Sequence, residues 1–402
     1  MLLILTNIFL LLFALFTALP LLLSWLAKIV KVQIPFKELV KNQAETDFAC
    51  VITAYKDIEC AKNLVLSLLQ QNYVNFHVYL LADDCEISSW TIQHPKFSLL
   101  VPNEVLHSKV KSIRYTLENL VREHPYFVVF DPDNLAHPDF LKQVNFWHKK
   151  GFEVVQGKRI AKNLDTKYAR LDAVSEYYYN YAHRTVTFTL GSSATIAGSG
   201  MAMPVQFYTQ FLQEKFDTRS TSLVIAEDKM LQMYVVEKGY RIAFAEKALV
   251  FDEKVSTAHQ VKRQRTRWIT SYFQYLMAGL SLFFRSLGRC NWNKVLFAYT
   301  IISPPMFLVG LTWLVASFVL VFVSSLSFLL LQLCFLAFLL NVFSALLLGG
   351  APSKVTLSLF FAPFFVFNQV KALLSMNQTR TSFLTTEKTK NMSLDEVLHP
   401  KS

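Results

Sequence analysis

Charge is absent from long stretches of this chain: no Asp, Glu, Lys or Arg occurs between Met1 and Ala27, nor between Val295 and Leu348. Cysteine is scarce. Cys50, Cys60, Cys85, Cys290 and Cys334 are odd in number and contain no Cys-x-x-Cys pair, which argues against a disulfide framework or a structural zinc site and suits a reducing compartment. The histidines, His107 and His259 among them, show no ligand spacing. There is no internal repeat, low-complexity tract or long linker, and no nucleic-acid motif accompanies the net charge of +11.

The uncharged stretches imply a membrane protein. Residues 1–27 are long enough to cross a hydrocarbon core of about 30 Å. They lack the basic start and small-residue cleavage site of a signal peptide, so they read as a retained anchor. Residues 295–348 are too long for one span and fit two, with Ser324, Ser325 and Ser327 marking a polar turn between them. Residues 355–370, with Pro363 and several Phe, read as an interfacial helix or a short span. Lys28, Lys31 and Lys37 follow the first span, Arg285, Arg289 and Lys294 precede the second, and Lys371, Arg380, Lys388 and Lys390 follow the last apolar stretch. All face the cytoplasm only if an even number of spans follows the central region. Proximity to lipid headgroups then accounts for much of the positive charge.

The boundaries that follow are an anchor over 1–30, a soluble domain over 44–268, an interfacial amphipathic segment over 269–290, a membrane region over 294–375 and a cytoplasmic tail over 376–402. Within the soluble part, the apolar patterns predict strands over 48–54 and 76–82, helices over 59–70 and 109–122, and a strand over 126–130. Such alternation implies an α/β fold with a mostly parallel sheet wrapped by helices and a ligand at the carboxyl ends of the strands. The polar residues there are Tyr55 and Asp57, then Asp83 and Asp84, then Asp131 and Asp133.

Asp131 and Asp133, one residue apart after a buried strand, can present two carboxylates to a divalent cation and a phosphorylated ligand; a solvated loop is the other reading. Glu227 and Asp228 read either as an acid pair in a site or as carboxylates complementing a helix dipole. Gln264, Arg267 and Trp268 fall at i, i+3 and i+4, on one helical face, where Trp offers a flat apolar ring; snorkelling beside the membrane is the alternative. Gly198, Ser199 and Gly200 allow close backbone approach.

These residues carry a resemblance. Val51-Ile52-Thr53-Ala54-Tyr55-Lys56-Asp57, Ala82-Asp83-Asp84-Cys85, Asp131-Pro132-Asp133-Asn134 with Pro138-Asp139-Phe140-Leu141, Glu227-Asp228 and the pentad Gln264-Arg265-Thr266-Arg267-Trp268 occur in the order found in family 2 glycosyltransferases. With flanking apolar segments, the chain resembles the membrane-bound processive synthases of cellulose, hyaluronan and chitin. The resemblance implies a GT-A-like nucleotide-sugar-binding domain with transmembrane helices at both ends. It implies Tyr55, Asp57, Asp83, Lys109 and Asp131 as donor-binding residues, with Asp83 accepting from a uracil ring and Tyr55 packing beside it. Asp131 and Asp133 would hold Mg²⁺ or Mn²⁺. Asp228, paired with Glu227, would be the general base of an inverting transfer. Gly200, Gln264, Arg267 and Trp268 would meet the acceptor, and Thr379-Arg380 resembles an element at the site's mouth. The chain departs from the pattern at Val110, where a small residue is usual after the Lys, and at Ala226, where Thr often precedes the acid pair.

The expectation is a metal-dependent transfer of a hexosyl or N-acetylhexosaminyl unit, UDP-linked, at a bacterial inner membrane, with the catalytic domain in the cytoplasm. A polysaccharide is the expected acceptor and a lipid the alternative, membrane lipids are partners, and nucleic acid is not. An export partner is left open. A non-catalytic membrane sensor would be expected to have lost part of its acid set, and Asp131, Asp133, Glu227 and Asp228 are all present.

Overall fold

A computed structural model describes residues 1–30, 45–216, 226–363, 366, 369 and 391–399. Its elements in chain order are α1 (Leu2–Ile29), β1 (Phe48–Tyr55), α2 (Lys62–Leu69), β2 (Phe76–Asp83), β3 (Phe97–Leu100), α3 (Lys109–Glu118), β4 (Tyr126–Phe130), β5 (Leu135–Ala136), α4 (Phe140–Lys149), β6 (Val154–Ala161), α5 (Lys167–Asn180) and α6 (Val186–Thr189). There follow β7 (Met201–Pro204), α7 (Val205–Lys215), α8 (Glu227–Glu237), β8 (Ile242–Asp252), α9 (Ala258–Leu287), α10 (Trp292–Ile302), α11 (Met306–Val323), α12 (Ser325–Leu348), α13 (Ser353–Leu357) and α14 (Leu394–Leu398). The chain divides into a sheet unit (Ile34–Asn163, Ser193–Lys254, Glu387–Ser402) and a helical unit (Met1–Gln33, Leu164–Ser192, Val255–Thr386).

The sheet unit has eight strands among the described residues, in the order β3-β2-β1-β4-β7-β6-β8-β5. Four ladders are parallel and three antiparallel, so the expected mostly parallel sheet is present, with β7 and β5 reversed. Strands β2 and β4 are buried at every position and β1 at nearly every one. That is why their sequences are continuous apolar runs and not alternating ones: parallel central strands are covered on both faces. The strand over 48–54 extends to Tyr55, and the helix over 59–70 begins as a 3₁₀ turn (Glu59–Ala61) before α2. The helix over 109–122 stops at Glu118, where the Asn119 side chain donates to the Tyr115 carbonyl at 2.8 Å and so satisfies one of the last turn's acceptors.

In the helical unit, α1, α11 and α12 are long and apolar enough to cross a membrane. The expectation of two spans within 295–348 needs adjusting at its start. Ser303, Pro304 and Pro305 interrupt the helix, because proline lacks the donor and disfavours helical geometry before it. Residues 292–302 are therefore a separate helix, α10, and the first helix of this stretch long and apolar enough to cross a membrane begins at Met306. The polar turn reduces to Ser324, whose side chain accepts from the Ser327 N–H and caps α12. The pentad at 264–268 and the amphipathic stretch after it form one helix, α9, crossing the boundary placed at 268/269. Thr379 and Arg380, with most of 364–390, lie outside the described residues. The end of the tail does not stand apart: α14 belongs to the sheet unit.

Polar groups within the helical unit bond one another, as an apolar medium demands. Trp313 Nε1 donates to Gln332 Oε1 at 2.9 Å, Gln332 Nε2 to Ser317 at 3.0 Å, Asn341 Nδ2 to the Tyr178 hydroxyl at 3.3 Å, and the Tyr299 hydroxyl to the Leu15 carbonyl at 2.8 Å. Arg265 of α9 donates to Asp172 of α5 at 2.6 Å and to Ser175 at 3.1 Å, both sides of the ion pair being buried. Removing one side of such a pair leaves its opposite charge poorly compensated. Asp172→Ala is expected to cost about 3 kcal/mol, read as a lower thermal midpoint of the detergent-solubilised protein; an unchanged midpoint would show that the pair contributes little.

Candidate active site

The register of the sheet aligns the first group of polar residues. Tyr55 and Asp83 are direct partners at the ends of β1 and β2, and Ile52 pairs with Phe130, so Asp131 leaves β4 on the same edge. Asp83 is buried. Its two oxygens accept from the backbone N–H groups of Leu106 at 2.8 Å and His107 at 3.0 Å, and carboxylate lone pairs remain for a further donor. The Tyr55 hydroxyl lies 2.9 Å from His107 Nδ1. Lys56, Asp84 and His107 have φ of 65°, 53° and 50°. Backbone strain in non-glycine residues is thus concentrated where the strands end, as at ligand-holding loops. Asp57 accepts from the Cys60 N–H at 3.4 Å. Burial, then the charges of Asp57 and Asp133, push the Cys60 thiol up to about 12, so it is protonated at neutral pH and Cys60 lies within electrostatic reach of both carboxylates.

A second group converges on Lys109, the first residue of α3. Its Nζ donates to Asp131 Oδ1 at 2.5 Å and to the Gly198 carbonyl at 2.8 Å. Gly198 has φ of +79°, and a Cβ there would lie 3.5 Å from Asp228 Oδ2, so Asp228, at the start of α8, packs against the same turn. Burial disfavours the Lys109 ammonium, but the charges of Asp131, Glu227 and Asp228 outweigh it and hold its pKa above the ordinary value. Burial raises the pKa of Glu227; Lys109 opposes the shift and repulsion from Asp228 adds to it. Asp228 Oδ1 accepts from the Lys229 N–H at 2.8 Å, and Ala226 enters the helix in the left-handed region.

The turn carrying Asp131 and Asp133 is fixed from behind. The Asp131 N–H lies 3.2 Å from both Asn134 Oδ1 and Ser199 Oγ, and Ser199 donates to Asn134 Oδ1. Asn134 Nδ2 donates to Asp252 at 3.2 Å, and Lys162 Nζ to the Asp133 carbonyl at 2.9 Å. Gly200 has φ of +64°, and a Cβ would meet Val250 at 2.7 Å; only glycine fits, which places it beside β8 in the strand packing. Among the described residues no group of three or more His, Cys, Asp or Glu side chains is arranged to hold a metal. Two hard carboxylates on one turn fit a divalent cation if ligand oxygens and water complete its shell.

Gln264, Arg267 and Trp268 lie near the start of α9 in the helical unit. Arg267 is exposed and Gln264 and Trp268 half-buried. Gln264 Oε1 is buried and has no hydrogen-bond partner among the described residues. Arg265 stacks on the Trp268 ring at 4.6 Å, an anchoring contact within the pentad that the i, i+3, i+4 reading passed over. The pattern also gave no role to Lys162, Ser199, Asn134 or Asp252. Asn134 and Ser199 stood inside the quoted motifs; Lys162 and Asp252 had no signal beyond following strands.

The raised pKa of Glu227 has a consequence for stability. Below its ordinary value of 4.5 the carboxyl is protonated in both folded and unfolded chains and contributes nothing. Above it the unfolded chain ionises more readily, so stability falls as pH rises towards the folded pKa. Glu227→Gln is expected to lose less thermal stability than the parent chain between pH 4.5 and neutrality; parallel pH profiles would refute this.

No curated protein sequence matches the chain significantly. A solved mannosyltransferase from Pyrobaculum calidifontis, in complex with GDP-Man and Mn²⁺, matches over 89% of this chain and 94% of its own, at 12% identity and a TM-score of 0.50. TarS 1-349 of S. aureus matches over 83% and 91% at 13% identity and 0.42. Its complex with UDP-GlcNAc matches over 52% and 59% at 14% identity and 0.34. The first likeness is one of fold; the TarS superpositions are too distant to support an argument. The family model described as glycosyltransferase like family 2 matches residues 45–271, which is more than half of the 402 residues and includes every ordered motif from β1 to the pentad. The chain belongs to glycosyltransferase like family 2.

Proposed function

We propose that this glycosyltransferase is inverting and metal-dependent, and that it transfers a hexosyl or N-acetylhexosaminyl unit from a UDP-linked sugar to an acceptor at the membrane. The observation that carries the reading is the meeting of Asp131, Glu227 and Asp228 around one ammonium, Lys109, beside the glycine turn at Gly198. Tyr55 and Asp83 flank the base, with Asp57 nearby. Lys109 meets the diphosphate. Asp131 and Asp133 are the residues that would hold Mg²⁺ or Mn²⁺, which when bound supplies charge neutralisation for the departing diphosphate.

Asp228 takes the proton from the acceptor hydroxyl as that oxygen attacks the anomeric carbon. A single displacement inverts the centre. Glu227, whose pKa is raised by burial, stands beside Asp228 at the start of α8. Gln264, Arg267 and Trp268 offer an amide, a guanidinium and an aromatic face to the acceptor. Lys28, Arg285, Arg289 and Lys294 flank the spans, which supports a cytoplasmic sheet unit on an inner membrane.

Polymer and lipid acceptors make different demands on the spans. Extruding a polysaccharide needs polar side chains facing a path, and residues 295–348 offer Tyr299, Trp313, Gln332 and Asn341 for it. Each is bonded within the helical packing, which favours a lipid acceptor over a growing polymer.

Purified protein in detergent, offered UDP- and GDP-sugars with Mg²⁺ or Mn²⁺, is expected to release nucleoside diphosphate and to stop when the metal is chelated. Asp228→Asn should lower turnover by about 10²–10⁴-fold while donor binding survives. Unchanged turnover would remove Asp228 from the base role. In membranes, labelled sugar should enter organic-soluble lipid; long water-soluble chains would favour the polymer reading.

A further inference from the structure

The C-terminal helix α14 packs against the strand that follows the acidic turn. Leu394 is buried in a cluster with Leu135 and Phe251, ringed by Ile160, Val397 and Leu398. Leu135 and Phe251 are themselves a register pair in the β5–β8 ladder, whose only other pair is Ala136 with Val250. A five-residue helix is too short to persist alone. This one is held by a capping box between Ser393 and Glu396 and by Asn63 Nδ2 of α2, which donates to Asn391 Oδ1 at 2.6 Å and to the Met392 carbonyl at 3.0 Å.

The covered ladder joins the two halves of the turn's support. Leu135 follows Asn134, which accepts from the Asp131 N–H. Phe251 precedes Asp252, which accepts from Asn134 Nδ2 at 3.2 Å and pairs with Arg159 at 3.2 Å and Lys254 at 2.8 Å. A two-pair antiparallel ladder is too short to hold itself. Exposing its apolar rung would let Asn134 and Asp252 separate, and Asp131 and Asp133 would lose their fixed spacing.

We propose that α14 is a positioning strap for the Asp131–Asp133 turn: Leu394, acting through the Leu135–Phe251 pair, keeps both carboxylates in the geometry the donor requires. This deepens the proposed function and rests on Asp131 and Asp133 serving the donor.

The test uses the full chain, a chain ending at Met392, Leu394→Ala and Leu394→Met. Hydrogen exchange is followed by mass spectrometry alongside donor turnover. Both the shortened chain and Leu394→Ala are expected to exchange about tenfold faster over residues 131–136 and 250–252, with β1 and β2 unchanged. Their kcat should fall by a similar factor and need more Mg²⁺ or Mn²⁺ for half-maximal rate. Leu394→Met should match the full chain, and a synthetic peptide of residues 391–402 should restore the shortened one. Parent-like exchange at the turn overturns the proposal. Faster exchange spread equally over β1 and β2 in Leu394→Ala also overturns it, since α14 would then serve the fold in general. If the full chain turns over no nucleotide sugar, the functional reading fails, while the exchange data still decide whether α14 holds the turn.

Discussion

The ammonium of Lys109 is the charge on which the carboxyl edge of the sheet depends. Asp131 leaves β4 while Glu227 and Asp228 open α8, nearly a hundred residues later in the chain. Three carboxylates brought close together repel one another, and burial raises the pKa of Glu227 among them. Lys109 bonds one of them directly and reaches the carbonyl of Gly198 against which another packs. It thereby offsets the mutual repulsion of the gathered acids. The residual imbalance is visible at Glu227, whose pKa stays raised despite the lysine. An arrangement that is costly in the unliganded chain is a reasonable sign of a site shaped for a partner that brings its own charge.

Around this centre the backbone is unusually constrained. Gly198 and Gly200 both adopt left-handed geometry, and Gly200 has no room for a side chain beside Val250. Ser199 between them ties the turn to Asn134 and Asp131. The glycines therefore let two loops interlock closely enough for side chains on one to fix the backbone of the other. Lys162 and Asp252 complete the support from β6 and β8.

In the helical unit the same rule of polar satisfaction operates among helices apolar enough to cross a membrane. Few polar side chains occur in the spans, and those with the strongest donors or acceptors are bonded across helices: Trp313 to Gln332, Asn341 to Tyr178 and Ser24. Such bonds specify which helix faces meet, since apolar side chains are no more at home against protein than against lipid. The buried Arg265–Asp172 pair similarly fixes α9 against α5 and stacks on Trp268, so the pentad is anchored through a residue that its motif leaves unspecified.

Much of this was legible in the sequence because it depends on local patterns. Continuous apolar runs such as residues 126–130 required central buried strands, the uncharged stretches required membrane-length helices, and strand ends put Tyr55, Asp83 and Asp131 on a common edge. The sequence also brought out the order of the acidic motifs that places the chain in its family. Tertiary structure alone decided that Lys109 bonds Asp131, that Arg265 is the buried anchor within the pentad, that Tyr299, Trp313, Gln332 and Asn341 bond within the helical packing, and that α14 closes over Leu135 and Phe251. Those outcomes depend on contacts between residues distant in the chain. Hydrophobic periodicity records which face of an element is buried, but not which partner buries it.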